Sequence, residues 1–122
     1  MPKLKDETAF LYRYNEHQFA SDVLIGSYYV KQLALIELRR IAQKRAFLTQ
    51  SPINAALVAL HDDSLSVQNH AAQILLYAKG LNDPRVGSAI RLKLQTNPHT
   101  MVASILKEAL SKVRKRKKSN AA

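Results

Sequence analysis

Apolar residues recur at spacings of three and four along most of this chain, the spacing that places side chains on one face of a helix. Three such stripes stand out. Their members are Val30, Ala34, Leu38, Ile41, Ala42 and Leu48 in a long segment from about 22 to 48; Val67, Ala71, Ile74, Leu75 and Ala78; and Met101, Val102, Ile105, Leu106, Ala109, Leu110 and Val113. The second half contains no useful stretch of period-two alternation, so the pattern predicts an all-α fold.

Prolines and one glycine predict where the helices begin and end. A capping side chain stands before each of three prolines, and proline suits the first helical position because an N–H there would have no partner. These dipeptides are Ser51-Pro52, Asp83-Pro84 and Asn97-Pro98. Gly80 predicts a helix end. Helices are therefore expected near 52–60, 65–79, 84–95 and 98–116, and the short connections predict antiparallel neighbours.

The first 20 residues fit two patterns. Phe10, Tyr14 and His17 have the spacing of a helix, whereas the segment from Phe10 to Tyr14 also alternates like a short strand. We favour a helix, because an isolated strand would have no partner with which to pair.

The helical stripes also resemble one another. Val67-Gln-Asn-His-Ala71-Ala-Gln-Ile-Leu75 aligns with the segment that begins at Val30 at an offset of 37, and with the segment that begins at Met101 at an offset of 34. A period in the thirties is typical of an α-solenoid, whose units bury their stripes by stacking on their neighbours. The units would be two-helix pairs over about 6–48, 52–80 and 84–116, in one domain over 1–113.

The segment from Leu57 to Leu75 resembles a HEAT repeat, particularly the short bacterial type. A leucine closes the first helix, Asp63 lies in the turn, Val67 is followed by a long polar residue, and paired alanines precede Leu75. Gln68 stands where the family usually has Arg. The resemblance implies a right-handed stack of about three antiparallel helix pairs with a non-catalytic binding surface. A helical bundle without repeats and a fold that includes strands are the alternatives.

Basic residues exceed acidic ones by 19 to 9, which gives a formal net charge of +10. The densest group spans 112–118 and consists of Lys112, Arg114, Lys115, Arg116, Lys117 and Lys118. Mutual repulsion predicts that 114–122 is a frayed tail when unbound. This tail is either a solubilising segment, a docking arm for phosphates or an acidic protein, or a nuclear-localisation signal.

Two further basic groups lie on predicted helices. One ends the long second helix and comprises Arg39, Arg40, Lys44 and Arg45; the other comprises Arg85, Arg91 and Lys93. If the groups converged, they would form a positive channel that attracts nucleic acid through counterion release.

Aromatic residues are concentrated before residue 48. We expect most of them to pack the first unit and cover the open end of the stack, although Tyr12 or Tyr28 could stack on bases. Tyr28-Tyr29 places two rings on different sides of a helix, so at least one of them is expected on a contact surface.

The residues needed for catalysis or metal binding do not occur in a recognisable arrangement. There is no Cys, the four His residues are isolated, and the three Gly residues form no phosphate-binding loop. His61-Asp62-Asp63 is expected to cap a turn. We therefore expect neither an enzyme nor a resident cofactor or metal.

The chain also lacks the features of membrane insertion or secretion. No apolar run approaches the ~18 residues of a membrane span, and the first residues lack the apolar core of a signal peptide. A cytoplasmic protein of bacterial type is the expectation.

Together these features predict a non-catalytic binding module that uses the concave surface formed by its second helices. The expected partner is an acidic protein surface, with Arg39, Arg40 and Lys44 steering its approach and Gln68 and Asn69 forming hydrogen bonds. An adaptor or an immunity-type inhibitor would fit, as a monomer or an end-to-end dimer. The alternative is a nucleic-acid-binding accessory protein that is indifferent to base sequence and uses the basic groups and the C-terminal arm.

Overall fold

A computed structural model describes residues 15–45, 48–78 and 84–121, with only the backbone described for residues 45 and 114–121. This part of the chain forms six helices and no strand, so the all-α prediction is confirmed for it. Helix α1 covers 15–25. The others are α2 (Tyr28–Arg45), α3 (Gln50–Ala59), α4 (Leu65–Tyr77), α5 (Pro84–Gln95) and α6 (Thr100–Ala121).

The predicted long segment from 22 to 48 is divided at Gly26. The Gly26 N–H donates to the Asp22 carbonyl oxygen at 2.8 Å, which completes the last turn of α1. Ser27 immediately precedes α2, and its carbonyl oxygen accepts from the Lys31 N–H at 2.8 Å. A Cβ at position 26 would collide with the Asp22 carbonyl oxygen. The expectation of one continuous segment was therefore wrong, because the chain turns where only glycine fits.

Two of the proline signals are displaced from the positions that the sequence predicted. Helix α3 begins at Gln50 after Thr49, so the Ser51-Pro52 cap was wrong. Pro52 lies instead within the first turn, where the absence of its N–H again costs no intrahelical bond. The buried Glu16 of α1 accepts from the Thr49 N–H at 3.3 Å. A carboxylate is favourable at this end of α3, since the helix dipole is positive there.

Asn97 ends a helix rather than starting one. It has a φ of 57°, and its N–H donates to the Leu94 carbonyl oxygen at 3.2 Å. This left-handed geometry closes α5. Helix α6 begins two residues after Pro98, with the His99 Nδ1 accepting from the Met101 N–H at 3.1 Å. Pro84 does begin α5 as predicted, whereas Asp83 and Gly80 lie outside the described residues.

Helix α4 occupies the centre of the described fold. It packs against α2, α3 and α6, and α5 packs against α6. All five members of its predicted stripe are buried. Met101 and Val30 were assigned to core stripes wrongly, since they are 51% and 39% exposed. Each lies in the first turn of its helix, and in α6 the neighbouring Val102 is buried instead.

Hydrogen bonds fix the register of α2 against α4. Gln32 Nε2 donates to Ser66 Oγ at 2.9 Å, and Arg39 Nη1 donates to Gln73 Oε1 at 2.9 Å; both pairs are 34 residues apart. Because the offset is constant over two turns, the two helices run in the same direction. The apolar patterns align instead at 37, so equivalent core positions are staggered by three residues, about 4.5 Å of helix rise.

Candidate interaction surface

Helix α4 packs against both α2 and α6. We call these three helices the second-helix layer, since each is the second helix of a predicted unit. The five residues expected to bind a partner lie on its first two helices, three on α2 and two on α4: Arg39, Arg40, Lys44, Gln68 and Asn69. Their surroundings differ.

Arg39 lies in the contact between α2 and α4. Its side chain is half-buried, and Nη1 is held by Gln73. The Nε atom is buried without a hydrogen-bond partner among the described residues. Arg39 therefore contributes to the packing of two helices, besides adding positive charge to the layer.

Arg40 and Lys44 are exposed and lie one turn apart on α2. Arg40 Nη1 contacts Glu37 Oε1 at 3.2 Å, with the two side chains 69% and 42% exposed. An ion pair of this exposure contributes about 0–1 kcal/mol. The Glu37 carboxylate thus offsets part of the Arg40 charge but does not hold the guanidinium strongly.

Gln68 and Asn69 begin the polar face of α4. Gln68 Nε2 donates to the Asp62 backbone carbonyl oxygen at 2.6 Å, so this amide stabilises the preceding turn. Asn69 is half-buried, and its Oδ1 has no hydrogen-bond partner among the described residues. Of the two, Asn69 has the acceptor that remains unsatisfied.

A charged contact that the sequence analysis missed joins the start of α2 to the turn before α4. Lys31 Nζ contacts Asp62 Oδ2 at 2.7 Å, and Asp62 Oδ1 accepts from the Ser64 N–H at 2.9 Å. The bond from Lys31, followed by that from Ser64, lowers the pKa of Asp62. Ser64 rather than an aspartate caps α4, because its Oγ accepts from the Val67 N–H at 3.4 Å.

The alignment contained a signal for this contact. At an offset of 37, Lys31 corresponds to Gln68. Both side chains contact the turn before α4: Lys31 contacts the Asp62 carboxylate, and Gln68 donates to the Asp62 backbone carbonyl oxygen.

His70 lies near Arg39 between α2 and α4. Burial, followed by the positive charge of Arg39, lowers the pKa of His70. The imidazole is therefore neutral at pH 7, and its buried Nδ1 has no hydrogen-bond partner among the described residues.

The basic group on α5 lies on a helix whose most extensive contact is with α6. Arg85 and Arg91 are exposed, whereas Lys93 is only 9% exposed. Helix α5 makes its most extensive contact with α6, and α5 and α2 are not among the helix pairs in extensive contact. Convergence of the basic groups into one positive channel stays a prediction.

The C-terminal basic run continues the last helix. Lys112 is half-buried, and the backbone of α6 is helical through Ala121. The side chains of Arg45, Arg114, Lys115, Arg116, Lys117 and Lys118 lie outside the described residues. Fraying of 114–122 stays a prediction.

Exposed apolar side chains gather where α1 meets α2. Ile25, Tyr28, Tyr29 and Leu33 are 82%, 58%, 71% and 47% exposed. The expectation that aromatic residues pack the first unit was therefore wrong for both tyrosines, although exposure of at least one was anticipated. Phe19 packs partly buried against the core, and the aromatic residues at 10, 12, 14 and 47 lie outside the described residues.

Comparison with protein-family models, curated proteins and solved structures finds no match to this chain. Within the described residues, no helix is both long and apolar enough to cross a membrane. The same residues contain no cluster of three or more His, Asp or Glu side chains that could hold a metal ion.

Proposed function

We propose that this chain is a non-catalytic protein-binding module built as a short HEAT-like solenoid of about three helix pairs in a right-handed stack. The packing of α4 against both α2 and α6 supports this proposal, because a solenoid brings the second helices of successive units together. The 34-residue separation of Gln32 from Ser66, and of Arg39 from Gln73, also suits a repeat with a period in the thirties.

The proposed binding surface is the outward side of the second-helix layer, and the proposed partner is acidic. The observation that carries this choice is the exposure of Arg40 and Lys44 on the same helix as the half-buried Arg39. Three cations within two turns attract carboxylates and accelerate encounter with a negatively charged protein. Asn69 lies on the neighbouring helix, but its Oδ1 is buried, so this atom would contact a partner only after the side chain changes its conformation.

A charge-reversal experiment on the full-length chain tests this proposal. Wild-type protein and the R40E/K44E variant are used to capture partners from an extract of the source cells, and bound proteins are quantified. We expect an acidic protein that is enriched by wild type and lost with R40E/K44E. The matched control is R91E, which changes an exposed arginine on α5 and should retain the partner. Equal capture by all three proteins would contradict the proposal.

Sequence-independent binding of nucleic acid is the second candidate. It is favoured by the continuous helical backbone of α6, which carries the basic run well beyond Leu110, its last buried residue in the described part. About six phosphate contacts would make log affinity fall with log salt at a slope near −5.

Retention of the full-length chain on a random-sequence duplex, measured over a salt series, tests the second candidate. Replacing the basic residues of 112–118 with Gln should abolish retention, whereas R40E/K44E should weaken it little. Absence of retention of the wild-type chain at low salt would exclude this function.

A further inference from the structure

Helix α2 has an exposed face that is distinct from its contact with α4. Gln32 and Arg39 are directed to α4 by their hydrogen bonds. A second row follows a different side of the helix at helical spacing and is exposed throughout: Tyr29, Leu33, Arg40 and Lys44. We call this row the α2 stripe. Tyr29 and Lys44, at the two ends of the stripe, are 15 residues apart, which corresponds to about 22 Å along the helix axis.

The first half of the α2 stripe is apolar. Tyr29 is 71% exposed and Leu33 is 47% exposed, and Ile25 at the end of α1 is 82% exposed. Single exposed apolar residues are ordinary, but a contiguous group marks a site of association. Burying these side chains would provide the main favourable free energy for binding, because apolar burial contributes about 25 cal/mol per Å².

The second half of the α2 stripe is basic. The Arg40 side chain is 69% exposed, and its contact with Glu37 is the weak surface type described above. Lys44 is exposed and has no acidic residue within one turn of it on α2. Helix α2 thus changes from apolar to basic along its length on one face.

We propose that the α2 stripe binds an acidic amphipathic helix aligned lengthwise with α2. Apolar side chains of that helix, spaced by three and four residues, contact Tyr29 and Leu33, and carboxylates in its other half contact Arg40 and Lys44. This inference rests on the proposed protein-binding function and identifies the shape and chemistry of the partner segment.

A second copy of this chain fits the α2 stripe less well. Two copies in parallel would bring Arg40 and Lys44 of each against the same cations of the other. Two copies in antiparallel orientation would place these cations against Tyr29 and Leu33. The α2 stripe contains no carboxylate of its own, the nearby Glu37 already contacts Arg40 of the same helix, and each chain carries a net charge of +10. Charge complementarity therefore selects an acidic partner.

Synthetic peptides of about 18 residues, long enough to span the stripe, provide a probe for the full-length protein. The test peptide has Leu at spacings of three and four in one half and paired Glu in the other. One control peptide has the same composition in scrambled order, and another has Lys in place of Glu. Affinity is measured by fluorescence anisotropy, and the site is mapped by amide chemical shifts.

We expect saturable binding of the test peptide alone, with the shift changes centred on α2. L33D and R40E/K44E should each weaken binding by about tenfold or more, as truncation of an anchor or loss of a charge pair does. The matched controls L92D and R91E alter an exposed leucine and an exposed arginine on α5 and should leave affinity unchanged. If L33D alters the helical circular dichroism spectrum, Y29S is used instead as the variant of the apolar half of the stripe.

The outcomes separate this inference from the broader proposal. Chemical-shift changes centred on α4 or α6, together with an affinity that L33D and Y29S leave unchanged, would overturn the role of the α2 stripe. A protein-binding function would remain in place. Equal binding of the Lys peptide, or no saturable binding, would overturn the acidic-helix inference. Concentration-dependent dimerisation that L33D abolishes would show that a second copy occupies the stripe, and would also overturn it.

Discussion

Helix α4 packs against both α2 and α6, and the two contacts differ in chemistry. Among the described side chains, the hydrogen bonds that leave α4 for a neighbouring helix go to α2, at Gln32 and Arg39. Lys31 adds an ion pair to the turn before α4. Helix α6, by contrast, buries apolar side chains: Val102, Leu106, Ala109 and Leu110.

The difference shows that helix contacts do two things: they stabilise the fold, and they fix how the helices are aligned. Apolar burial supplies most of the stabilising free energy but is non-directional. Hydrogen bonds contribute less net free energy, since they replace bonds to water, but their geometry restricts register. The α2–α4 contact therefore combines stabilisation with a defined alignment, and the α6 contact depends on the fit of its buried side chains.

The largest expected effect is the loss of an apolar side chain from α6. L106A should destabilise the protein by about 2–5 kcal/mol, because Leu106 is fully buried and its removal leaves a cavity. Urea unfolding followed by circular dichroism measures this change. L92A, at a position on α5 that is 61% exposed, is the control and should cost about 0.5 kcal/mol or less. Similar losses in both variants would mean that the α6 contact is not the apolar one described.

The next largest effect is expected when the ion pair beside the α2–α4 contact is broken. D62N should cost about 1–2 kcal/mol, since it weakens the bonds from both Lys31 and Ser64. A double-mutant cycle with K31M should give a coupling free energy of about 0.5–1.5 kcal/mol. The cycle between E37Q and R40M, at the exposed pair, is the control and should give a value near zero. Equal couplings would show that Lys31 adds no more than a surface contact.

Acid should weaken the same contact. The lowered pKa of Asp62 means that its stabilising contribution is complete above the ordinary pKa of 3.8 and is lost as the pH falls through the folded-state pKa. Unfolding midpoints measured between pH 5 and pH 2 should fall less steeply in D62N than in wild type. D63N changes the exposed neighbouring carboxyl and should retain the wild-type slope. A slope that changes in D63N and not in D62N would show that the acid sensitivity does not arise at Asp62.

The smallest effect concerns His70, between α2 and α4. Its lowered pKa means that the unfolded chain takes up a proton more readily, so stability should decrease as the pH falls below the ordinary pKa of 6.5. H70Q should flatten the change in the urea midpoint between pH 7.5 and pH 5. H61Q, on the surface, is the control. An unchanged slope in H70Q would indicate that protonation at this site does not affect folding.

The sequence predicted much of the secondary structure for identifiable reasons. Periodic burial along α4 and the proline that starts α5 were predictable, because a stripe and a proline act within a few residues. Asn97 was misassigned because a capping side chain before proline also suits a left-handed helix end. Met101 was misassigned because periodicity alone does not tell which of two adjacent apolar residues faces the core.

The candidate surface was predictable in part. Arg40 and Lys44 were expected on one face of a helix and are exposed. The involvement of Arg39 with Gln73, and of Gln68 with the Asp62 carbonyl oxygen, depends on the distance between separate segments. Exposure of at least one of Tyr28 and Tyr29 was expected, whereas the exposed Ile25 and Leu33 beside them were not singled out, because the sequence does not show which apolar residues gather on the surface.

The sequence by itself determined that this protein is helical, because the spacing of apolar residues and the backbone limits of proline and glycine are local properties. It also determined the excess of positive charge. Only the tertiary structure decided which side of α2 contacts α4 and which remains exposed, so that Arg39 enters a helix contact while Arg40 stays in solvent. Two adjacent residues point about 100° apart on a helix, and the packing of the neighbouring helix selects between them.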